Sequence, residues 1–341
     1  MDTQLQIFSA KIVAIHFQDL LRWLQPYLLP WVFLLLLILP LKLWLNGKRT
    51  KSSNQFEKDT QLSKKSDEED LRVIASKIAQ QVGKDVEKKI GSPHYITSKS
   101  STTDLVTEID EWSEKTITDY IISLRPNDEV VCEEGTYVSG NNNVRWLIDP
   151  IDGTTNFIYG HPGFSISLGI EIDNETKVGA LYVPLLDELF AASPAHGTTK
   201  NGKIVEVSKT KELNKTLIAT GFSYNPKFRE TQARNLIGIL PNVRDIRRVG
   251  GAAFDLASVA CGRVDAFFEY GLSPWDVSAG HALVKYAGGE VMTIDQLESN
   301  DFEVNVLRCA STISETTITV AASEHLIDQV VELIINSQTS S

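Results

Sequence analysis

The sequence predicts a mixed α and β protein with layered sheets, preceded by an N-terminal membrane helix. Near the start of the 341-residue chain lies a long apolar run without charge. Beyond residue 67, apolar residues at helical spacing alternate with short apolar runs bounded by turn residues, which is the pattern of helices and sheet strands. At ~150 residues per domain, the length is sufficient for one large or two medium domains with a substantial core.

Charge and cysteine content exclude several classes of protein. The net charge is −11, but residues 1–65 carry a net +5 and the remainder a net −16. Because nucleic-acid binding requires a basic surface, this acidic body is not expected to have a nucleic-acid partner. The three cysteines are few, odd in number and far apart. This excludes a disulfide framework or a zinc cluster and suits a reducing compartment.

The apolar run extends from Trp23 to Leu41, 19 residues without a charge. At ~1.5 Å per residue it nearly spans the ~30 Å hydrocarbon core of a bilayer. We therefore expect a transmembrane helix at about 23–45, within an N-terminal segment of residues 1–45, and a lipid bilayer as a partner. A buried core helix and a cleaved signal peptide are the alternatives, and the polar and mixed residues before the run argue against the signal peptide.

The flanks of this run predict its orientation. More basic residues follow it than precede it: Lys42, Lys48, Arg49 and Lys51 against Lys11 and Arg22. The positive-inside rule then predicts a single-pass membrane protein whose C-terminal body lies in the cytosol. Residues 46–66 have the basic, polar composition of a flexible linker. The folded domain is expected to cover residues 67–341.

The elements of that domain follow from apolar spacing. A first helix is predicted from apolar residues at helical intervals, namely Leu71, Ile74, Ile78, Val82, Val86 and Ile90. A second helix is expected from Ile109 to Leu124 and a closing helix from Glu324 to about Ile335. Short apolar runs between turn residues predict strands at Val144–Ile148, Ser165–Ile170, Val178–Val183 and Glu188–Ala192.

The residues with the clearest chemistry follow the strand that begins at Val144. They read Asp149-Pro-Ile-Asp-Gly-Thr-Thr-Asn-Phe157. Two carboxylates spaced by three around a proline-stiffened turn can converge on one point, and such hard oxygen ligands suit Mg²⁺. The amides of residues 153–155, if they open a helix, would form an anion cradle. The alternative is an Asx turn at a strand end.

Other acids also stand at the ends of apolar runs. Glu133 and Glu134 follow one such run, Asp276 follows Trp275, and residues 104–110 contain three further acids. Taken singly, each position is compatible with a solvated turn or a helix N-cap. Together with the Asp149 and Asp152 pair, these three sets suggest carboxylates gathered around a metal ion.

These residues carry a family resemblance. Residues 149–157 resemble the first signature of the inositol monophosphatase family, and residues 275–289 resemble the second. The Glu133–Glu134 pair and residues 104–110 match in order and spacing. The resemblance extends over about residues 67–335. It implies an α+β fold, the five-layered αβαβα sandwich of that family.

The resemblance also implies a role for each matching residue. The implied metal ligands are the carboxylates of Glu133, Asp149, Asp152 and Asp276 with the backbone carbonyl of Ile151. Asp110 and Thr154 resemble the pair that orients and deprotonates the attacking water, and Glu133 is counted with them as catalytic. The implied substrate-binding residues are Asp152, Gly153, Thr154, Ala252 and Glu269. Lys99 and Glu134 match positions at the edge of the site.

By this resemblance the protein is expected to be a lithium-sensitive, Mg²⁺-dependent phosphatase. It would use two or three Mg²⁺ ions to hydrolyse an inositol phosphate or a sugar phosphate, and it would form a homodimer. The residues agree, because a phosphate dianion cannot approach these carboxylates unless cations neutralise them. Two alternatives stay open: a 3′-phosphonucleotide or fructose-1,6-bisphosphate phosphatase of the same fold, and a catalytically inactive membrane-tethered binding protein.

Overall fold

The structure, a computed structural model, describes residues 68–91, 96–98, 105–296, 302–306 and 317–339. Among these residues the helices are α1 (Glu68–Glu87), α2 (Glu108–Leu124), α3 (Thr154–Tyr159), α4 (Pro226–Ile239), α5 (Ala252–Ala260), α6 (Pro274–Tyr286) and α7 (Ile327–Thr339). The strands of the same part of the chain are β1 (Ile96–Ser98), β2 (Leu105–Thr107), β3 (Glu129–Cys132), β4 (Tyr137–Val138), β5 (Val144–Asp152), β6 (Ser165–Ile172), β7 (Glu175–Val183), β8 (Glu188–Ser193), β9 (Gly197–Lys200), β10 (Lys203–Ile204), β11 (Leu217–Thr220), β12 (Asp245–Arg247), β13 (Ala266–Tyr270), β14 (Gly289–Gln296), β15 (Phe302–Val306) and β16 (Ile318–Ser323).

The described strands form two large sheets. The first sheet has the order β10-β9-β8-β7-β6-β5-β3-β4, and the second has the order β12-β11-β13-β16-β14-β15. Most neighbours are antiparallel, but β3 runs parallel to β5, and β11 runs parallel to β12 and β13. A small antiparallel pair, β1 and β2, precedes α2. The parallel pairing of β3 with β5 matters most for function, because it brings the C-terminal ends of both strands to one edge.

Helices cover both sheets and separate them, so the described part of the chain stacks in five layers. Helices α1 and α2 pack on one face of the first sheet, and α5 and α6 pack between the sheets. Helices α4 and α7 lie together, and α7 packs on the second sheet. The core between the sheets includes Leu181 and Phe190 of the first sheet with Phe267 of the second. The αβαβα order expected from the family resemblance is therefore confirmed.

Close backbone approach seats α6 on the first sheet. A Cβ atom built on Gly169 of β6 would lie 2.1 Å from the Ser278 hydroxyl oxygen, which is far inside contact distance. Glycine at this position therefore allows the helix to pack closely on the sheet. In this arrangement the N-terminus of α6 lies at the edge where β3 and β5 end.

Several predicted boundaries differ in the structure. β5 continues to Asp152 instead of ending at Ile148, because β5 and β6 resume pairing at Asp152 after a register shift that begins at Asp149. The closing helix begins at Ile327 rather than at Glu324. Such shifts are expected, since element ends depend on tertiary hydrogen bonds that a local pattern does not record.

The predicted single-pass membrane localisation is wrong. Within the described ranges, from 68 to 339 with their gaps, no helix is long and apolar enough to cross a membrane. The run from Trp23 to Leu41, the segment 1–45 and the linker 46–66 lie outside the described residues. The localisation and the bilayer partner follow only from the local composition of that run, and neither is supported.

Candidate active site

The candidate site is a cavity of about 390 Å³ at the edge where β3 and β5 end. Glu133 follows β3, Asp149 lies in β5, and Asp276 lies in the first turn of α6. Carboxylate oxygens of these three residues all lie within 4.8 Å of one another. Other predicted site residues line the same cavity: Ile151, Asp152, Gly153, Thr154, Ala252 and Glu269. Elements far apart in the chain thus meet around one acidic centre.

Local backbone structure places Asp149 and Glu133. The register shift between Asp149 and Asp152 bends the end of β5, and the Ile151 amide donates to Asp149 Oδ1 at 3.0 Å. The Glu133 amide donates to the Ile148 carbonyl at 3.1 Å, which extends the parallel pairing by one residue. Both carboxylates therefore leave their strands at the same level.

Asp276 is held by helix capping. The N-cap of α6 is Ser273, not Asp276, and Asp276 is the third residue of the helix, where it completes a capping box with Ser273. The Ser273 amide donates to Asp276 Oδ2 at 2.6 Å. A carboxylate in this place also interacts favourably with the positive end of the helix dipole. Its position is set before any ligand binds.

Asp152 is fixed by partners from two other elements. Its Oδ2 accepts a hydrogen bond from the Ser165 hydroxyl at 3.0 Å and another from the Phe254 amide at 3.3 Å. Phe254 belongs to the first turn of α5. Neither Ser165 nor Phe254 was identified from the sequence, because no short motif marks a donor that comes from a distant strand or helix.

Asp110 lies behind Thr154. The Thr154 hydroxyl donates to Asp110 Oδ1 at 3.0 Å, and Thr154 lines the cavity while Asp110 is buried. The other oxygen, Asp110 Oδ2, accepts from the Thr107 amide at 2.8 Å in the capping box of α2. The Thr154 hydroxyl has one proton, which can go to Asp110 or to the Ile151 carbonyl at 3.2 Å, and either choice leaves oxygen lone pairs available to a molecule in the cavity.

The backbone at Gly153 leads directly into the N-terminus of α3. Gly153 has φ +82°, in the left-handed region, and a Cβ atom there would lie 3.0 Å from the Gly163 carbonyl oxygen. Helix α3 begins directly afterwards at Thr154. The first amides of a helix have no partner within it, so Gly153 and Thr154 can present N–H groups to phosphate oxygens.

Glu269 closes another wall of the cavity. Its carboxylate occupies the space beside Gly221, where a Cβ atom would lie 2.0 Å from Oε1. Burial raises the pKa of Glu269 to about 8, although the neighbouring Arg248 acts in the opposite direction. Arg248 also lines the cavity, and its guanidinium carbon lies 6.0 Å from the Phe222 ring centroid. Arg248 and Phe222 were not identified from the sequence.

The electrostatics of the acidic centre fit a divalent cation. Burial, reinforced by Glu133 and the other acids, raises the pKa of Asp149 and of Asp276 well above the usual value. Burial likewise raises the pKa of Asp152 to about 6. Asp149 and Asp152 are buried and Glu133 and Asp276 are half-buried, and carboxylates this close cannot all ionise without a compensating charge. Hard oxygen donors of this kind suit Mg²⁺, so Glu133, Asp149, Asp276, Asp152 and the Ile151 carbonyl could hold it.

These raised pKa values predict how stability depends on pH. In the folded protein the pKa of Asp152 is about 6 and that of Glu269 is about 8, both above the ordinary value for a carboxyl group. At any pH between the ordinary pKa and the raised one, the folded state therefore binds more protons than the unfolded state. Stability of the metal-free protein should therefore fall as pH rises from about 5 to about 8. Thermal melts in EDTA should show this fall. The increase in melting temperature on addition of Mg²⁺ should be largest near pH 8.

A matched variant tests the assignment of that slope. Glu269→Gln removes the group with the higher of the two pKa values. The melting temperature in EDTA should then depend less on pH between about pH 7 and about pH 8. A metal-free melting temperature that rises across the whole range, in both proteins, would contradict the burial of these acids.

Of the two predicted edge residues, the structure describes only Glu134. Lys99 lies outside the described residues. Glu134 is not among the described residues that line the cavity, and its amide instead donates to Glu114 at 2.7 Å. The main-chain turn at Glu134 therefore contributes to the structure around Glu133. Glu114 was not singled out from the sequence, although it stands one helical turn after Asp110.

Comparisons with known proteins agree with this geometry. The sequence model of the Inositol monophosphatase family matches residues 67–333. The chain is 41% identical over 224 residues to "Nus factor SuhB" of Salmonella typhimurium, covering 65% of this chain and 84% of that protein. It is 38% identical over 206 residues to "Inositol-1-monophosphatase" of Mycobacterium bovis, covering 58% and 71%. The crystal structure of the Bartonella henselae extragenic suppressor protein suhB superimposes with a TM-score of 0.69 at 30% identity, covering 77% of this chain and 98% of that chain. The chain therefore belongs to the inositol monophosphatase family.

Proposed function

We propose that the protein is a Mg²⁺-dependent phosphate monoester hydrolase whose substrate is inositol monophosphate. The observation that carries this proposal is the convergence of Glu133, Asp149 and Asp276 beside the Thr154–Asp110 pair in one cavity. A second support is that a relative at 38% identity is named an inositol-1-monophosphatase. Two or three Mg²⁺ ions are expected, as in the family.

The acidic residues prepare the site for a negatively charged substrate. Bound Mg²⁺ supplies charge neutralisation, lowers the pKa of a bound water and stabilises the leaving oxygen. The chain contributes a fixed frame, because Asp152 and Asp276 are already held by hydrogen bonds from Ser165 and Ser273. A frame that needs no rearrangement on binding favours the transition state over the ground state.

The Thr154–Asp110 pair orients the attacking water. With its own proton directed to Asp110, the Thr154 oxygen accepts a hydrogen bond from a water molecule in the cavity. As the water oxygen bonds to phosphorus, its proton passes to Thr154 and the Thr154 proton passes to Asp110. The bond between phosphorus and the inositol oxygen breaks, and the released alkoxide takes a proton from solvent water. The raised pKa of Asp110, caused chiefly by burial, makes this carboxylate a better proton acceptor than an exposed one.

Substrate binding is assigned to two walls of the cavity. The Gly153 and Thr154 amides would hold phosphate oxygens at the N-terminus of α3. Glu269 and the backbone of Ala252, both lining the cavity, would contact ring hydroxyls of inositol. Because a carboxylate repels a phosphate dianion, Glu269 is placed to meet a neutral ring hydroxyl rather than a second phosphate.

A panel of phosphate monoesters tests this function. Phosphate release is measured with full-length protein on inositol 1-phosphate, a hexose phosphate, fructose 1,6-bisphosphate and a 3′-phosphonucleotide. We expect the highest kcat/KM with inositol 1-phosphate, loss of activity in EDTA, recovery with Mg²⁺ and inhibition by millimolar Li⁺. Preference for the bisphosphate or the nucleotide would replace the substrate by one of the alternatives. Metal binding without turnover on any compound would favour a binding protein.

The homodimer stays a prediction from the family resemblance. Light scattering during size-exclusion chromatography of the purified chain measures it directly.

A further inference from the structure

One face of α2 reaches three parts of the candidate site. Asp110, Ser113 and Glu114 are spaced by three and four residues, so their side chains lie on the same face of the helix. All three are buried. Asp110 contacts Thr154, as described above, and the other two side chains have no role in the proposed chemistry. Their hydrogen bonds indicate what they do.

Ser113 and Glu114 both bind main-chain groups next to proposed metal ligands. The Ser113 hydroxyl donates to the Pro150 carbonyl at 3.0 Å, between Asp149 and Ile151. Glu114 accepts two hydrogen bonds from the turn that follows Glu133. A single helix face therefore contacts the backbone on both strands that carry the acidic centre.

The turn after Glu133 depends on these bonds. The Glu134 amide donates to Glu114 Oε2 at 2.7 Å, and the Thr136 amide donates to Oε1 at 3.0 Å. The turn is closed by a hydrogen bond of 3.0 Å from the Cys132 amide to the Thr136 carbonyl. Its direction changes at Gly135, which has φ +103°. Glu114 thus holds the two amides that flank the bend.

A carboxylate is well suited to this position. It offers one oxygen to each amide, and hydrogen bonds to a charged acceptor are shorter and stronger than neutral ones. Both donors are main-chain amides, so the bonds fix the path of the backbone and not merely a side-chain orientation. The position of the Glu133 carboxylate follows from that path, because Glu133 immediately precedes the first amide.

We propose that Glu114 is a positioning residue that sets the Glu133 carboxylate for divalent-cation binding. The inference rests on the proposed function only in that Glu133 is a metal ligand. Glu114 acts through the turn at residues 134–136 and does not contact the cavity contents. Groups that orient a metal ligand in this way commonly change metal affinity by about 10–100-fold when they are replaced.

The test is Glu114→Gln in the full-length chain. Glutamine keeps the size of the side chain and one acceptor oxygen, but it turns an NH₂ group toward the second amide. Titration calorimetry with Mn²⁺ alone should show a 10–100-fold weaker affinity. In the activity assay, the Mg²⁺ concentration for half-activation should rise, while kcat at saturating Mg²⁺ should return to within a few-fold of wild type.

Asp128→Asn is the matched control. Asp128 is a buried carboxylate at the opposite end of β3, where it accepts hydrogen bonds from Trp146 at 2.9 Å and from Arg125 at 2.9 Å. This variant should lower the melting temperature and leave Mn²⁺ affinity unchanged. Equal losses of Mn²⁺ affinity in the two variants would reduce Glu114 to a general stabilising role and overturn the inference.

Two further outcomes distinguish the proposed metal site from the proposed positioning role of Glu114. If Glu114→Gln does not fold, Glu114→Asp retains both oxygens at a shorter reach, and unchanged Mn²⁺ affinity in either folded Glu114 variant overturns the positioning role. If the wild-type protein binds Mn²⁺ no better than Asp149→Asn does, the proposed metal site itself fails. Comparison with that variant therefore distinguishes a wrong function from a wrong role for Glu114.

Discussion

Replacing Asp149 with asparagine is expected to abolish phosphatase turnover while the fold survives. Asp149 is buried, and its carboxylate lies in the centre of the cluster with Glu133 and Asp276. The neutral amide removes the charge that attracts the cations, so we expect a loss of kcat greater than about 10³-fold, at the upper end of losses for one electrostatic group. Phosphate release at saturating Mg²⁺ measures this loss.

Thermal melts supply the control for Asp149→Asn. Without metal, the variant should melt no lower than wild type, because burial and repulsion from neighbouring acids oppose ionisation of Asp149. An asparagine oxygen can still accept the hydrogen bond that the Ile151 amide now donates to Asp149. The rise in melting temperature caused by Mg²⁺ should disappear. Activity retained at saturating Mg²⁺ would contradict the assignment.

Asp110→Asn should separate catalysis from metal binding. Asparagine can still accept a hydrogen bond from Thr154, but it cannot take up a proton, so kcat should fall by about 10²–10⁴-fold, the usual contribution of general acid–base catalysis. The shift of melting temperature by Mg²⁺ should remain, because Asp110 lies behind Thr154 and not among the three clustered carboxylates. Parallel kinetic and melting measurements test both expectations.

Thr107→Ala is the control for the capping role of Asp110. Thr107 and Asp110 form the capping box of α2, and loss of either partner weakens the same helix start by about 1 kcal/mol. The alanine variant keeps the Asp110 carboxylate, so its kcat should fall far less than that of Asp110→Asn. Equal losses in the two variants would show that the helix start, rather than proton transfer, explains the effect.

Much of the acidic centre could be predicted because its information is local. Asp149 and Asp152 lie three residues apart around a proline, and Gly153 and Thr154 follow at once. This spacing alone left an Asx turn as an alternative. The family resemblance added Glu133, Asp276 and Glu269 by order and spacing, and the structure brings all three to the same cavity as Asp149.

The residues that hold the site were not predicted, because their bonds join distant parts of the chain. Ser165 and the Phe254 amide reach Asp152 from a different strand and a different helix. Arg248 faces Glu269 only after α5 and β13 have packed together. Hydrogen bonds between a side chain and a main-chain amide leave no residue pattern at the amide, since every residue except proline offers the same donor.

Sequence by itself determined the alternation of helices and strands, the acidic character of the body and the Asp149–Thr154 segment, because periodicity, charge and short spacing are properties of neighbouring residues. Tertiary structure decided where these pieces meet. Parallel pairing of β3 with β5 aligns Glu133 with Asp149, and close approach at Gly169 carries Asp276 to the same edge. The hydrogen bonds between Glu114 and the turn after Glu133 likewise form only in the folded chain. Packing there selects one arrangement among the many that the local pattern allows.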